Sequence, residues 1–279
     1  MKTALLMSLM TALLMLLGDF FGGLQGMTFM LVFGVGMNIY YYWNSANLVL
    51  SQYNAREITE ANAPELFGIV KKLANNAGIP MPKVYVIPES VPNAFATGRN
   101  PEHAVVAINS GLVDMLDRDE VEGVIAHEIS HIKQRDILIS TIAACMASTI
   151  NTVAHWGMFL GGGRDDDNRN PIAAILIMVL APLAAALIQM GISRSREYEA
   201  DKAGGEISGK PDALADALLK IEGYAKRRPM RKATEATAHM FIINPLAGVD
   251  MKSLFSTHPS TEERVKLLRE QARRLKAGK

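Results

Sequence analysis

"AHEISHIKQRD", residues 126–136, places His127 and His131 four positions apart, with Glu128 directly after the first histidine. From Asp119 onward, valines and isoleucines recur at spacings of three and four residues, which predicts a helix with one apolar stripe. On such a helix the two histidines share a face and can bind one metal ion, while Glu128 lies aside and can take a proton from water. The alternative is a surface helix that carries a histidine pair without a metal.

A tetrahedral catalytic zinc takes three protein ligands and keeps one position open, so a third ligand is expected elsewhere. The best candidate stretch is SRSREYEADKAGG, residues 193–205. Glu197 and Asp201 lie four apart and share a helical face, whereas Glu199 turns away from them. We therefore expect Glu197 as the third ligand and Asp201 as the carboxylate that accepts the other ring N–H of a ligand histidine. The alternative is an acidic and basic helix face exposed to solvent.

The composition indicates a chain that is partly solvated by lipid. Hydrophobic residues make up 49% of the 279 residues, and the mean hydropathy is +0.12, which is high for a soluble protein. The net charge of +1 gives no reason to expect nucleic acid as a partner. The single cysteine, Cys145, excludes a disulfide or a cysteine-based metal site within one chain, so any metal must use histidine and carboxylate ligands.

Four apolar segments predict two helical hairpins in the lipid bilayer. Residues 4–18 and 27–43 form the first pair, and the alternative for 4–18 is the core of a signal peptide, although no small-residue cleavage pattern follows it. Residues 137–160 and 171–192 form the second pair. The 137–160 segment contains many serines and threonines, so burial against protein is the alternative to a full crossing.

Lysines and arginines near the ends of these segments predict which side of the membrane the polar parts face. With the N-terminus inside, seven such residues lie inside and two outside, namely Lys2, Arg56, Lys133, Arg135, Arg194, Arg196 and Lys202 against Arg164 and Arg169. We therefore expect residues 44–136 and 193–279 to lie on the cytoplasmic side and to form one domain that carries the candidate zinc site. Residues 1–43 would be an N-terminal transmembrane hairpin, and residues 137–192 a second hairpin inserted in that domain.

The combination of HEISH, a membrane hairpin, REYEAD at 196–201, STHPSTEERVKLL at 256–268 and VPNAFATG at 91–98 resembles the HtpX family of membrane-anchored zinc metalloproteases, relatives of the CAAX prenyl protease. The resemblance covers nearly the whole chain. It implies a multi-pass, zinc-dependent endopeptidase of the inner membrane, with a cytoplasmic active site, that acts on misfolded or damaged membrane proteins in quality control and stress.

The resemblance also assigns roles to single residues. The family's ligand pair falls on His127 and His131, its base on Glu128 and its third ligand on Glu197, in agreement with the spacing argument. One Zn²⁺ per chain is therefore expected.

Hydrolysis of a peptide bond also needs a donor for the developing oxyanion, and His258 in STHPSTEER is the candidate. The alternative is that His258 and Pro259 only precede a helix, because Ser260 and Glu263 fit a capping box. Arg264 is a candidate supporting partner within the site.

A substrate segment can be held by pairing with an exposed sheet edge. KVYVIP at 83–88 and HAVVAIN at 103–109 are predicted strands, and NAFATG lies between them. The family resemblance places this stretch along the substrate cleft, and the alternative is a polar connector with Gly98 as its turn. The residues expected to contact substrate are Asn93, Ala94, Phe95, Ala96 and Thr97.

Together these observations predict an α+β, mostly helical, gluzincin-like zinc metalloprotease domain with two transmembrane helical hairpins. The expected partners are unfolded or misfolded membrane-protein substrates and the lipid bilayer, and the sequence assigns no oligomeric state. Two other functions compete: a metal-binding scaffold or holdase that does not cleave, and a hydrolase for lipid-modified peptides. The intact base beside the ligand pair disfavours the scaffold, because a purely structural metal site does not need it.

Overall fold

The computed structural model describes residues 2–143, 194–227, 242 and 259–278. The helices in this part of the chain are α1 (Lys2–Gln52), α2 (Pro64–Ala77), α3 (Ser110–Met115), α4 (Arg118–Lys133), α5 (Arg194–Ser208), α6 (Pro211–Arg227) and α7 (Thr261–Ala277). Residues Pro101–His103 form one 3-10 turn, and residues 137–143 are helical as well. The strands are β1 (Arg56–Ile58), β2 (Lys83–Ile87), β3 (Ala94–Gly98) and β4 (Ala104–Asn109). The mostly helical α+β class is confirmed.

The strands form one sheet in the order β1-β2-β4-β3, in which β2 and β4 run parallel and the other pairs antiparallel. The central strand β4 is buried along its whole length, as its apolar sequence AVVAIN requires. The two predicted strands are present as β2 and β4. The stretch between them forms β3, at the sheet edge, and Gly98 is its last residue, with φ 136°.

Helix α4 lies at the centre of the part of the fold that packs on the sheet. It begins with a capping box, in which Asp117 accepts from the backbone N–H of Glu120 while the Glu120 carboxylate accepts from that of Asp117. The expectation of a single apolar stripe is wrong, because almost every residue from Glu120 to Ile132 is buried. Helices α2, α5 and α6 and strand β3 pack around α4, so its polar residues are inside as well.

Apolar side chains cover both faces of the sheet, because successive residues of a strand point to opposite sides. Val106 and Ile108 of β4 join the larger core, which contains α2, α4 and α6. Val105 and Ala107 of the same strand join a smaller core on the other face. That smaller core consists of Tyr41, Val49 and Leu50 of α1, Ile87, Phe95, Val105, Ala107, Ile142 and Ala143.

Helix α1 is broken at Gly23, where φ is 56° and ψ is −148°. The two arms lie side by side: Asn38 Nδ2 donates to the Met7 carbonyl at 3.2 Å and to the Thr11 hydroxyl at 2.8 Å. The backbones approach so closely at Gly18 and Gly26 that a Cβ on either glycine would clash with the carbonyl of the other. The first apolar pair is therefore a helical hairpin.

Among the described residues, one helical stretch, Gly22–Gln52, is long and apolar enough to cross a membrane, and Thr3–Leu16 is a shorter apolar helix. The helix continues beyond residue 43 to Gln52, because Val49 and Leu50 are buried in the smaller core. The prediction that two hairpins cross the membrane stays a prediction. Of the second hairpin, residues 137–143 are helical, and the remainder lies outside the described residues.

Candidate metal centre

The candidate site forms where α5 packs against α4. Gly204 of α5 allows close approach, since a Cβ there would lie 2.9 Å from both the backbone nitrogen and the Cα of His127. One turn of α4 further along, the Ser130 hydroxyl donates to the Ala200 carbonyl at 3.2 Å. This contact aligns the first turn of α5, which carries Glu197, with the histidine face of α4.

His127, His131 and Glu197 bring three ligand atoms together. The two Nε2 atoms are 3.2 Å apart, and the Glu197 oxygens lie 3.6 Å from Nε2 of His127 and 3.7 Å from Nε2 of His131. Metal–ligand bonds of about 2.0–2.1 Å at a tetrahedral angle would separate ligand atoms by roughly 3.3 Å. The three side chains therefore fit one divalent ion, and within the described residues they form the one such histidine and carboxylate group.

Each histidine also contacts a carboxylate through its other ring nitrogen. Nδ1 of His127 lies 3.0 Å from Asp201. Nδ1 of His131 lies 3.1 and 3.2 Å from the two oxygens of Asp136. Helical spacing predicted a carboxylate at Asp201, whereas Asp136 was missed, although it is the last residue of the AHEISHIKQRD stretch.

Arg264 of α7 holds Asp201 in place. Its Nε and Nη2 atoms each donate to an Asp201 oxygen at 2.7 Å, and Nη1 donates to the Ile242 carbonyl at 3.0 Å. Burial opposes the charged form of Asp201, but the guanidinium of Arg264 outweighs it and lowers the pKa of this carboxyl. Asp201 is therefore an ionised, rigidly held partner for His127.

The surroundings of the histidines favour positive charge. Burial lowers the pKa of His127, but the contacts with Asp201 and Glu197 outweigh burial and raise it to about 10. For His131, the contact with Asp136 likewise outweighs burial and raises the pKa. A buried site that stabilises protonated imidazoles also stabilises a divalent cation, which would replace those protons. Both the geometry of the cluster and the negative charge around it therefore fit a divalent metal ion.

Glu128 is buried next to the ligand pair and contacts the sheet edge. Its Oε2 atom accepts from the backbone N–H of Ala96 in β3 at 2.8 Å. Burial raises the pKa of the Glu128 carboxyl, and the neighbouring charges of His127 and His131 lower it only in part. A carboxylate with a raised pKa is a stronger base, which suits the removal of a proton from water.

The stretch from Asn93 to Thr97 meets the site mainly through its backbone. Of its five side chains, only that of Ala96 is partly exposed, and those of Asn93, Ala94, Phe95 and Thr97 are buried. Asn93 accepts from the backbone N–H of Ile242, and Thr97 bonds to Thr141. That these five residues contact substrate stays a prediction, and the burial of four of the side chains leaves the backbone of the edge strand and Ala96 as the exposed parts of this stretch.

His258 lies outside the described residues, which resume at Pro259. Ser260 caps α7 by accepting from the backbone N–H of Glu263 at 3.3 Å. The Glu263 carboxylate accepts instead from the hydroxyl of Tyr198 on α5. The capping box is thus half formed, and Glu263 links α7 to the helix that carries Glu197.

Known proteins share this sequence over nearly its whole length. The sequence profile "Peptidase family M48" matches residues 60–272. The "Protease HtpX homolog" of Methylibium petroleiphilum is 55% identical over 268 residues, covering 95% of each chain. That of Burkholderia thailandensis is 54% identical over 276 residues, covering 98% of this chain and 96% of the relative. That of Desulfatibacillum aliphaticivorans is 54% identical over 270 residues, covering 95% and 87%.

A solved structure shares the fold. The crystal structure of S. mikatae Ste24p superposes with a TM-score of 0.53 at 19% identity, and the match covers 92% of this chain. This chain spans 62% of that protein's length. The family profile includes His127, Glu128, His131, Glu197 and Asp201 within its range. The chain belongs to peptidase family M48, and within it to the HtpX family of metalloproteases.

Proposed function

We propose that this chain is a zinc-dependent endopeptidase, anchored in the inner membrane, that hydrolyses misfolded or damaged membrane proteins on the cytoplasmic side. The main support is the largely buried cluster of His127, His131 and Glu197, with Glu128 beside it and a sheet edge in contact with Glu128. Each part has a distinct task in peptide hydrolysis: ligands for a metal, a base, and a backbone surface for the substrate.

Zinc suits the three candidate ligands. Two imidazole nitrogens and one carboxylate oxygen match the ligand types of catalytic zinc sites, which keep a fourth position for water or substrate. When bound, the ion supplies Lewis acidity that polarises the scissile carbonyl and makes water more acidic. Asp136 accepts the Nδ1 proton of His131, and the Asp201 carboxylate lies 3.0 Å from Nδ1 of His127, so that in both histidines Nε2 is the nitrogen left for the metal.

Glu128 is the proposed general base and acid. Its carboxylate takes a proton from the attacking water and returns it to the nitrogen of the leaving amine. The backbone N–H of Ala96 holds one oxygen of this carboxylate, so the other is available for the proton. Because burial raises the pKa of Glu128, the proton transfer is less uphill than it would be for an exposed glutamate.

The edge strand β3 is the proposed substrate platform. One side of β3 pairs with β4, while its Ala96 N–H is turned toward Glu128. An extended peptide lying along this edge would pair with backbone groups and bring its carbonyl to the metal ligands. Recognition through backbone favours unfolded segments of many sequences, because a folded protein has few free extended stretches.

The membrane part of the proposal rests on the apolar hairpin of α1 and on the distribution of charge. Large apolar side chains on the outside of α1 include Leu5, Leu24, Phe29, Val32 and Trp43. The excess of lysine and arginine beside the apolar segments supports a cytoplasmic catalytic domain. Residues 44–136 and 193–279 are proposed as that single domain, since α4 from the first part packs closely on α5 from the second.

Replacement of the base tests the proposed reaction. Full-length wild type and Glu128→Gln, purified in detergent with a chelator and then given zinc, are assayed for metal content and casein hydrolysis. Both are expected to bind about one zinc, and the variant should lose roughly 10²–10⁴-fold in hydrolysis, the usual contribution of a general base. Glu199→Gln is the matched control, because Glu199 is exposed on α5.

Retained hydrolysis in a clean Glu128→Gln preparation would contradict the role of Glu128. If both proteins bind zinc and neither hydrolyses casein, the result favours the metal-binding scaffold over a broad endopeptidase.

A further inference from the structure

The two histidines of the candidate centre contact carboxylates that lie at very different distances along the sequence. His127 is held by Asp201, which comes from α5 and is locked by Arg264. His131 is held by Asp136, which follows in the same chain segment, five residues later. The His127 contact is a long-range one and forms with the fold. The His131 contact depends on how the chain leaves α4.

A tight turn at the end of α4 brings Asp136 back over its last residues. Gln134 caps the helix in the right-handed region, and Arg135 follows with φ 60°, a left-handed conformation that costs a non-glycine residue free energy. The backbone N–H of Asp136 then donates to the His131 carbonyl at 3.3 Å. Both the backbone and the carboxylate of Asp136 therefore contact His131.

The segment that begins directly after Asp136 is fixed against the sheet. Ile137 is buried in the larger core, and Ile142 is buried in the smaller core with Phe95. Between them, the Thr141 hydroxyl bonds to the Thr97 hydroxyl of β3 at 2.9 Å, and both residues are fully buried. Asp136 thus lies between a candidate ligand histidine and the helical residues 137–143, which begin the predicted second hairpin.

We propose that Asp136 is a positioning residue for the metal centre. Its carboxylate accepts the Nδ1 proton of His131, which sets the tautomer and the ring orientation and leaves Nε2 directed at Nε2 of His127 and at Glu197. Because Asp136 follows the turn at Arg135 and directly precedes residues 137–143, the orientation of the His131 ring also depends on how these residues pack against β3. The inference rests on the proposed role of His131 as a metal ligand.

Metal affinity and a metal spectrum test this role separately from activity. Full-length Asp136→Ala and Asp136→Asn are compared with wild type in detergent, with zinc affinity measured by competition with a chromophoric chelator and with Co²⁺ absorption as a probe of ligand geometry. We expect Asp136→Ala to bind zinc roughly 10–100-fold more weakly, the usual effect of losing such a partner, and to change the Co²⁺ bands. Asp136→Asn should lose less, because its amide oxygen still accepts the proton.

Asp216→Ala serves as the matched control, since Asp216 pairs with Arg269 on α7 and its loss should leave metal affinity unchanged. Thermal unfolding of the metal-free proteins checks folding, and if Asp136→Ala does not fold, Asp136→Asn carries the comparison.

The variant His131→Ala distinguishes failure of the proposed metal centre from failure of the positioning role of Asp136. If it abolishes metal binding while Asp136→Ala keeps wild-type affinity and spectrum, the positioning role is overturned and the metal centre stands. If wild type binds no zinc, or His131→Ala binds it normally, the metal centre itself is wrong and the inference falls with it.

Discussion

Arg264 carries its charge with 1% of its surface exposed, and its guanidinium donates to both oxygens of Asp201. A buried ion pair of this kind recovers little net stability, because both charges lose their water. Its benefit here is orientation: Asp201 is held by two parallel hydrogen bonds and in turn contacts Nδ1 of His127. The pair therefore connects the last helix of the chain to the metal centre.

Replacement of Arg264 by leucine leaves Asp201 without its cation. We expect the free energy of unfolding to fall by about 3–5 kcal/mol, the usual cost of an uncompensated buried charge. Arg269→Leu on the same helix is the control, since Arg269 is 34% exposed and its pairs with Asp212 and Asp216 should contribute about 0–1 kcal/mol. Chemical denaturation in detergent measures both losses, and equal losses would show that burial of the Arg264 pair does not matter.

At the scale of single residues, periodicity predicted the positions that helical geometry alone determines. His127, His131, Glu197 and Asp201 lie four apart in two pairs, and four residues on a helix return to the same face. Asp136 could not be found this way, because its contact with His131 depends on a left-handed residue, Arg135, beyond the end of the helix. Arginine has no special preference for that conformation, so the sequence carries no signal for the turn.

Helices α4 and α5 are the pair of elements on which the site depends. Their separation is set where Gly204 meets the backbone of His127 and where Ser130 bonds to Ala200. The candidate ligands lie on the two sides of this contact: His127 and His131 on α4, and Glu197 on α5. Any increase in the distance between the helices therefore moves the third ligand away from the other two.

A methyl group at position 204 should produce that increase. Alanine is the better helix former by about 0.5–1 kcal/mol, but the added Cβ would lie 2.9 Å from backbone atoms that cannot rotate away. We expect Gly204→Ala to lower the free energy of unfolding by roughly 1–3 kcal/mol, the usual cost of overpacking, and to weaken zinc binding.

Gly68→Ala in α2 is the control for Gly204→Ala. A Cβ at Gly68 would meet nothing within 4 Å, so this variant should be neutral or stabilising and should leave zinc binding unchanged. Melting temperature and zinc affinity of the two variants give the comparison. Wild-type zinc affinity in Gly204→Ala would contradict the importance of the close helix contact.

At the scale of elements, β-branched runs predicted β2 and β4, and amphipathic periodicity predicted α4. The sequence did not predict that α4 is buried on all sides, because its polar residues resemble an exposed face. Glu122 is an example: its side chain is 4% exposed and is held by Lys72 of α2 and by Lys210, which lies between α5 and α6. These partners are distant in sequence and come together only in the folded chain.

Across the whole molecule, the buried carboxylate of Glu122 connects α4 to α2 through Lys72 and to the turn between α5 and α6 through Lys210. Burial opposes the charged form of Glu122, but the hydrogen bonds from Lys72 and Lys210 outweigh it and lower its pKa. A group whose pKa is lower in the folded protein stabilises the fold above its unfolded pKa. That contribution is lost as the pH falls through the folded pKa.

The stability of the metal-free protein should therefore decline in acid. With an unfolded glutamate pKa of about 4.3, the contribution of Glu122 is complete above that pH and decreases below it. We expect Glu122→Gln to be less stable than wild type at pH 6 and to have a shallower decline below about pH 4.3. The free energy of unfolding of both proteins, measured in the presence of chelator from pH 6 to below about pH 4.3, checks this expectation. Glu65→Gln is the control, because the side chain of Glu65 is 72% exposed. Parallel curves for wild type and Glu122→Gln would contradict the assignment.

Hydropathy predicted the apolar hairpin at the start of the chain, because an unbroken apolar run needs no tertiary information. It did not predict that α1 continues to Gln52 and packs on the sheet, since Val49 and Leu50 are buried by residues far away in the sequence. The sequence motifs predicted that the candidate site residues lie in two separate stretches of the chain. Only the structure shows how closely the two helices that carry them, α4 and α5, pack together.

The order of the ligands along the chain has a consequence for synthesis. His127 and His131 precede residues 137–192, the predicted second hairpin, Glu197 follows them, and Arg264, which holds Asp201, lies in α7. A ribosome therefore releases two candidate ligands first, then the whole segment 137–192, and only afterwards the third candidate ligand and its support. The nascent chain cannot complete its metal centre before that segment has been made, so a truncated product lacks a finished protease active site.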